Sequence, residues 1–219
     1  MKILAISDPH GDYSKIKEMI EKAGDFDLVV IVGDITNFGP DEKVEELMEM
    51  FDSPVLAIPG NCDYRSILKA LDASKATNLH GKAEQIGNIR FIGLGGSNPT
   101  PFNSPFELSE EEIETALEGI VCSAENDKDC GTIVLLTHAP PYGARDELPF
   151  GHVGSKAIQK FLDRVDLIVC GHIHEAKGLE QVGKTVVVNP GEACKGSCTL
   201  ITIEEKNKNK PIEVEFIEI

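Results

Sequence analysis

Near its start the chain reads Lys2-Ile3-Leu4-Ala5-Ile6-Ser7-Asp8-Pro9-His10, a short apolar run that ends on an acidic residue, a proline and a histidine. A continuous run of this length, rich in Ile and Leu, is typical of a strand buried on both faces of a parallel sheet. The same arrangement recurs along the chain. The five apolar runs of this kind span residues 2–6, 28–32, 55–58, 133–136 and 167–170.

Segments with helical spacing of apolar residues separate these strands. Four helices are predicted: the first follows Asp12 as its N-cap, the second begins at Pro40, and the third and fourth follow Ser109 and Ser155. Further strands are predicted at 89–94, 185–188, 199–203 and 212–219. Strands that alternate with helices in the first half, followed by strand-rich sequence, indicate an α/β fold with some antiparallel edges.

The remaining segments are predicted to connect these elements. Residues 95–108 contain three prolines and are predicted to form a loop, and 206–210 to form a polar turn between two strands. We interpret Phe102, Phe106 and Phe150 chiefly as core residues, with stacking on a nucleobase or aryl group as the alternative. Because no repeat or linker divides the chain, residues 1–219 are predicted to form a single domain.

The composition excludes several classes of protein. The chain has 37 acidic and 21 basic residues, a formal net charge of −16 that opposes binding of long nucleic acid. A basic helix face is predicted from Lys156, Lys160 and Arg164, but the sequence around it is not basic. No apolar run approaches the roughly 20 residues of a membrane-spanning helix, which argues against a membrane protein. The six cysteines form no CxxC pair and no secretory segment is recognisable, so we expect reduced thiols and a cytoplasmic protein.

Each of the five buried strands is followed by Asp, Asn or His, residue types whose side chains can bind metal ions. In open α/β sheets the loops at the carboxyl ends of the strands converge, so these side chains are expected to meet. They outnumber the ligands that one ion needs, which indicates two divalent ions sharing a carboxylate. Mixed oxygen and imidazole donors favour Mn, Ni, Fe or Zn over Ca or Mg, and we take Mn as the first choice. The candidate ligands are Asp8, His10, Asp34, Asn61, His138, His172 and His174.

The order of these motifs resembles the calcineurin-like metallophosphoesterase superfamily, and in particular its small prokaryotic and archaeal phosphodiesterases. The Asn189-Pro190-Gly191 turn adds to the resemblance. It implies a two-sheet β-sandwich flanked by helices. It also implies two metal sites that share Asp34. The motifs are Asp8-x-His10, Gly33-Asp34, Gly60-Asn61, His138 and Gly171-His172-x-His174, of which Asp8, His10, Asp34 and His174 would hold one ion and Asp34, Asn61, His138 and His172 the other.

The same resemblance implies hydrolysis of small phosphate esters, with phosphodiesters favoured over monoesters and a nucleotide as one candidate substrate. A hydroxide between the two ions would attack phosphorus in line. Asn61 belongs to the implied catalytic residues, and the family position after it is typically a histidine that protonates the leaving group or stabilises the transition state. Here that residue is Cys62, whose thiol is a less suitable acid near neutral pH. Esters with acidic leaving groups are therefore the expected better substrates.

The sequence leaves open the roles of two further histidines and one alternative function. His152 precedes a predicted helix N-terminus and is a candidate substrate ligand, with an exposed histidine beside a Ser155 cap as the alternative. His80 is interpreted as a surface residue. The alternative function is a scaffold or binding protein that keeps the metallophosphoesterase fold with weak or no catalysis. Replacement of Asp34 distinguishes the two, because only an enzyme would lose turnover.

Overall fold

A computed structural model describes residues 1–127, 130–204 and 212–219 of the chain, so the turn predicted at 206–210 lies outside the described residues. The described part contains fourteen strands and five α-helices. The strands are β1 (Lys2–Ile6), β2 (Leu28–Val32), β3 (Val55–Ile58), β4 (Thr77–Asn78), β5 (Lys82–Ile86), β6 (Ile89–Leu94), β7 (Thr132–Thr137), β8 (Glu147–Leu148), β9 (Gly151–His152), β10 (Leu167–Val169), β11 (Gly178–Val182), β12 (Thr185–Asn189), β13 (Ser197–Thr202) and β14 (Glu213–Glu218). The helices are α1 (Ile16–Ala23), α2 (Lys43–Met48), α3 (Ile67–Ala73), α4 (Glu110–Glu125) and α5 (Lys156–Gln159).

Twelve of the strands form two six-stranded mixed sheets. The order is β14-β13-β1-β2-β3-β4 in the first sheet and β11-β12-β10-β7-β6-β5 in the second. The first sheet has parallel β1 to β4 and an antiparallel edge of β13 and β14. In the second, β6, β7, β10 and β12 are parallel and flanked by antiparallel β5 and β11. The strands that precede the candidate ligands are therefore interior parallel strands, as their continuous apolar runs predict.

The two sheets pack face to face and helices cover their outer faces. Residues such as Val30 and Phe91 form the core between the sheets. Met19 of α1 belongs to the core over the outer face of the first sheet, which also includes residues of α2 and α3. Leu117 of α4 belongs to the core over the second, together with residues of α5. This layering confirms the predicted α/β fold, a two-sheet β-sandwich flanked by helices.

All nine predicted strands are present, with bounds that differ by at most two residues. The capping box predicted at Ser109 is also present, with Ser109 and Glu112 bonded reciprocally at the start of α4. The sequence interpretation missed α3 and the edge strands β4, β5 and β11. Helix α3 buries only Ile67 and Leu71, and β5 and β11 have no buried residue, so none of them carries a strong apolar pattern.

Three local predictions about the helices were wrong. Asp12 does not cap α1; its Oδ1 accepts the N–H of Ser14 at 3.0 Å in the preceding turn, since a short side chain readily bonds backbone two residues on. Pro40 lies in a turn before α2. Helix α5 ends at Gln159, so Lys160 and Arg164 do not share a helix face with Lys156.

The three phenylalanines separate into one core residue and two exposed ones. Phe106 is fully buried, and its N–H donates to the carbonyl of Asn61 at 3.1 Å, which ties the loop 95–108 to the end of β3. Phe102 and Phe150 are 85% and 81% exposed, so their interpretation as core residues was wrong. Both residues lie in turns, and the turns set the direction of their side chains. The apolar periodicity that places core residues in helices and strands does not apply there. Among the described residues, no helix is both long and apolar enough to cross a membrane.

The sandwich core predicts a large stability difference between two apolar positions. Phe91→Ala should lower the free energy of unfolding by about 3–5 kcal/mol, because it leaves a cavity between the sheets. Leu179→Ala, at a residue 48% exposed on β11, should change it by less than about 0.5 kcal/mol. Urea unfolding followed by circular dichroism measures both, and equal effects would contradict the assigned core.

Candidate functional site

The structure places the predicted site residues at the carboxyl ends of interior strands from both sheets. Asp8 and His10 follow β1, Asp34 follows β2, and Asn61 follows β3. The remaining candidates come from the second sheet. His138 follows β7, and His172 and His174 follow β10. Because the sheets pack face to face with these ends on one side, seven residues distant in sequence share one edge of the sandwich.

One group of side chains there consists of Asp8, His10 and His174. The Nε2 atoms of His10 and His174 are 3.4 Å apart, and Nε2 of His174 is 3.3 Å from Oδ1 of Asp8. One ligand atom from each of the three residues lies within 4.8 Å of the other two. Three donors at this spacing can reach a common ion.

A second group surrounds the buried imidazole of His138. Its Nε2 lies 3.4 Å from Oδ1 of Asp34 and 2.9 Å from Oδ1 of Asn61. The ring centroid of His172 is 5.1 Å from that of His138. Asp34 also faces the first group, since its Oδ2 is 3.8 Å from Nε2 of His10. Asp34 therefore lies between the two groups.

The donor set fits divalent metal ions. Oδ1 of Asp8 is buried and accepts no hydrogen bond from the described residues, although a buried carboxylate oxygen normally has a partner. It faces Nε2 of His174 at 3.3 Å and Nε2 of His138 at 4.0 Å. Two carboxylates and several imidazoles suit Mn, Fe, Ni or Zn, which take mixed oxygen and nitrogen ligands. An ion beside Oδ1 of Asp8 would supply the partner that this oxygen lacks.

Glycines precede three of the candidate ligands, and two of them, Gly60 and Gly171, lie too close to a carboxylate for a side chain. A Cβ on Gly60 would lie 2.1 Å from Oδ1 of Asp34, and a Cβ on Gly171 would lie 2.5 Å from Oδ2 of Asp8. Close approach lets the backbone of these loops bond the carboxylates: the N–H of Cys62 donates to Asp34 at 2.7 Å, and the N–H of His172 donates to Asp8 at 3.2 Å. The glycines thus make the packing of the site possible.

Four of the seven candidate ligands have left-handed backbone conformations. Their φ angles are +54° at Asp8, +47° at His10, +48° at Asp34 and +66° at His172. Such angles are uncommon outside glycine and cost of order 1–3 kcal/mol each, so they persist where the surrounding structure enforces them. Their concentration at one edge of the sandwich marks a functional site.

Asp63 holds two of the ligand-bearing loops together, a role that the sequence interpretation missed. Its buried carboxylate accepts hydrogen bonds from the N–H groups of Ile35, Thr36 and Gly60 at 3.1, 2.7 and 2.8 Å and from the Thr36 hydroxyl at 2.8 Å. Burial and the charge of Asp34 raise the pKa of Asp63 to about 6, against the lowering effect of these hydrogen bonds. The sequence offered one signal for this role, since Asp63 is an acidic residue two positions after the candidate ligand Asn61.

Residues after β12 orient the histidine loop and were also missed as site residues. Oε1 of Glu192 lies 3.0 Å from Nδ1 of His174, so this imidazole contacts Asp8 through one nitrogen and Glu192 through the other. The Asn189 side chain donates to the carbonyl of Ile173 at 2.9 Å and accepts the N–H of Gly191 at 2.9 Å. The Asn189-Pro190-Gly191 turn therefore supports the loop that carries His172 and His174.

The electrostatics of the site separate its titratable groups. Burial opposes ionisation of Asp34, but the charge of His138 and hydrogen bonds from His138 and the Cys62 N–H outweigh it and lower its pKa. Burial likewise opposes the charged form of His138, yet Asp34 and Asp8 raise its pKa to about 9. Burial and the charge of His138 lower the pKa of His172 to about 4. The pKa of the Asp34 carboxylate thus stays below that of the His138 imidazole, as in free side chains. The low pKa of His172 keeps its imidazole neutral.

Cys62 lies within the site rather than beside it. Its Sγ, a ring nitrogen of His10 and a carboxylate oxygen of Asp34 satisfy the same 4.8 Å spacing. Burial and the charges of Asp34, Asp63 and Asp8 raise the pKa of the thiol. The position is therefore close enough to contact a bound substrate, but its environment disfavours release of a proton.

His152 matches the alternative that the sequence analysis left open, an exposed histidine beside a Ser155 cap, whereas His80 is not where the sequence suggested. His152 lies in the β8–β9 hairpin, with Nδ1 2.7 Å from Oδ1 of Asp146, and Ser155 caps α5 by accepting the N–H of Ile158. His80 is partly buried rather than on the surface: its Nδ1 accepts the N–H of Gly95 at 3.0 Å and its ring packs on Phe106. Burial lowers its pKa to about 4, which suits a neutral packing role.

Comparisons with known proteins agree with this geometry. The chain is 41% identical over 201 residues to the uncharacterised protein MJ1162 of Methanocaldococcus jannaschii, covering 87% of this chain and 88% of that one. It is 22% identical over 213 residues to the 3',5'-cyclic adenosine monophosphate phosphodiesterase CpdA of Haemophilus influenzae, covering 87% and 76%. Its fold is similar to a dimetal phosphatase from Danio rerio, with a TM-score of 0.71, 11% identity and coverage of 100% and 96%.

The family model described as calcineurin-like phosphoesterase matches residues 1–176. That range includes all seven candidate ligands and the strands that position them. It covers well over half of the chain, and the Methanocaldococcus jannaschii relative is similar over 87% of the chain. The chain therefore belongs to the calcineurin-like phosphoesterase family.

Proposed function

We propose that the protein is a metal-dependent phosphodiesterase with two divalent ions in its active site. The observation that carries this proposal is the pair of ligand groups around Asp34, each with a carboxylate and at least one imidazole. Asp8, His10, Asp34 and His174 would hold one ion, and Asp34, Asn61, His138 and His172 the other. Such a pair supplies a nucleophile from water near neutral pH and charge stabilisation for the phosphoryl oxygens. Mn²⁺ is our first choice, with Ni²⁺, Fe²⁺ or Zn²⁺ as the alternatives.

The residues of this chain orient the ligands and bind the ester. Hydrogen bonds from the N–H groups of Cys62 and His172 hold the Asp34 and Asp8 carboxylates in place. Oδ1 of the buried Asn61 lies 2.9 Å from Nε2 of His138, which keeps these two proposed ligands of the second ion together. Cys62 lies beside His10 and Asp34, and the raised pKa of its thiol argues against a role as the acid.

Small esters, including nucleotides, suit this site better than long nucleic acids. The basic residues that favour nucleic acid are neutralised by acidic neighbours: Lys160 pairs with Glu114 at 2.7 Å, and Arg164 pairs with Glu118 and Glu125. The net charge of −16 acts in the same direction. The similarity to a cyclic-nucleotide phosphodiesterase supports a diester as substrate. The proposal also takes residues 1–219 as one domain and, with the cysteines taken as reduced thiols, a cytoplasmic location.

The first prediction compares a diester with a monoester. Protein stripped with a chelator and titrated with Mn²⁺, Ni²⁺, Zn²⁺ or Mg²⁺ should hydrolyse bis(p-nitrophenyl) phosphate faster than p-nitrophenyl phosphate, and only with added ion. Asp34→Asn should lower kcat/KM by on the order of 100- to 1,000-fold, because it removes charge from the centre of the site. Asp25→Asn, at an exposed carboxylate, is the matched control.

Diester turnover without any added ion, or unchanged turnover in Asp34→Asn, would contradict the proposal. A folded wild-type protein that binds two ions and hydrolyses neither ester would instead favour the scaffold function.

A second prediction concerns the glycine that allows the close approach to Asp8. Gly171→Ala should weaken Mn²⁺ binding by roughly 10- to 100-fold in isothermal titration calorimetry, since its Cβ would push Asp8 away from its backbone partner. Gly119→Ala, in α4 with nothing within 4 Å of the added Cβ, should bind Mn²⁺ normally and gain roughly 0.5–1 kcal/mol of stability. Equal Mn²⁺ affinity in the two variants would refute this role of Gly171.

A further inference from the structure

The Asp146–His152 pair is a built arrangement outside the metal ligands. Asp146 is fully buried, and its Oδ1 lies 2.7 Å from Nδ1 of His152. Its Oδ2 accepts the N–H groups of Gly154 at 2.8 Å and Gly143 at 3.1 Å. The His152 side chain is 40% exposed. The fold thus buries the Asp146 carboxylate completely and uses it to hold a solvent-facing imidazole. Because desolvation of a carboxylate is costly, we interpret this pair as functional.

The pair leaves one nitrogen of His152 directed outward. Since Nδ1 faces Asp146, Nε2 on the opposite side of the ring points away from the carboxylate. The Tyr142 ring packs against the imidazole at a centroid distance of 5.5 Å and limits its movement. The hydrogen bond and charge of Asp146, with smaller contributions from Glu147 and Glu180, raise the pKa of His152 above its ordinary value. The pair therefore favours the protonated imidazole, the form in which the outward Nε2 carries a proton.

The hairpin that carries His152 is attached to two loops of the metal site. Just beyond His138, the N–H of Ser155 donates to the carbonyl of Pro140, and the N–H of Tyr142 donates to the carbonyl of Ser155, both at 2.9 Å. Strand β8, whose Glu147 pairs with His152, packs against the turn His174–Ala176. His152 is consequently held at the rim of the same edge of the sandwich.

We propose that His152, oriented by Asp146, is the acid that protonates the leaving-group oxygen of the diester, and this rests on the proposed function. Water adds its oxygen to phosphorus as the P–O bond to the leaving group breaks. The electron pair of that bond stays on the leaving oxygen, which takes the Nε2 proton of His152. The neutral imidazole regains a proton from solvent, to which the attacking water has released one. His152 thus performs the step for which Cys62 is unsuited, and Asp146 is its positioning residue.

The test measures how the rate depends on the leaving group. Diaryl phosphates whose leaving phenols range from p-nitrophenol to unsubstituted phenol are hydrolysed by the Mn²⁺-loaded protein. If His152 is the acid, the wild-type rate should fall only weakly as the leaving phenol becomes less acidic. If Cys62 were the acid, the rate should fall steeply. His152→Gln should lower kcat for diphenyl phosphate by roughly 100-fold and leave bis(p-nitrophenyl) phosphate within a few-fold of wild type.

Two further variants separate proton donation from a structural role. Asp146→Asn should reproduce the steep leaving-group dependence, whereas Asp25→Asn, at an exposed carboxylate, should keep the shallow one. In the wild type, kcat for diphenyl phosphate should fall as pH rises through the raised pKa of His152, because the donor proton is lost. This descending limb should be missing for bis(p-nitrophenyl) phosphate and in His152→Gln. Mn²⁺ affinity, measured by calorimetry, should be unchanged in His152→Gln.

Two results would overturn the assignment. A loss in His152→Gln that is equal for all leaving groups, or no loss at all, would refute the acid role while leaving the phosphodiesterase proposal intact. A wild-type protein that hydrolyses none of the diesters with any ion would refute both proposals together.

Discussion

Two buried carboxylates, Asp8 and Asp34, set the constraint on which the rest of the site depends. Both lie within 4.0 Å of Nε2 of His138, in an interior where negative charges are costly unless they are paired. The structure compensates with imidazoles from both sheets and with N–H groups from the loops after β3 and β10. Residues 60 and 171 are glycines because a side chain at either position would clash with these carboxylates and keep the N–H groups from approaching them. Bound cations would complete this compensation at Oδ1 of Asp8.

The same device, a buried or partly buried carboxylate that organises a loop, appears three times around the site. Asp63 joins the loops after β2 and β3, Glu192 holds the far nitrogen of His174, and Asp146 gathers the turn before β8 and fixes His152. None of the three belongs to the seven candidate ligands. Each converts a flexible connection into a rigid one, which is what a site needs if its ligands are to be held in place before the substrate binds. Loops tied in this way also explain how left-handed angles persist at Asp8, His10 and Asp34.

Much of the fold and of the site was predictable, because both depend on local patterns. The runs at 2–6, 28–32 and 55–58 could be assigned as strands since an interior parallel strand is apolar on both faces. The Asp, Asn and His residues after them could be grouped because parallel strands end at one edge. Elements without such a pattern were missed, as β5 and α3 show. Phe102 and Phe150 were wrongly placed in the core because a loop residue carries no periodicity that reports its direction.

The sequence by itself determined the layer architecture and the identity of the side chains that meet at the sandwich edge. Apolar periodicity, a property of short segments, identified the strands and helices, whereas the two-sheet layering was implied only by the family that the order of the motifs resembles. Only the tertiary structure decided which carboxylates support which ligands. Asp146 and His152 are six residues apart, yet their pairing depends on a hairpin folded back on the loop after β7, and Glu192 meets His174 only because β12 lies beside β10. Such contacts join segments that no periodicity links, so they appear only when the sheets are assembled.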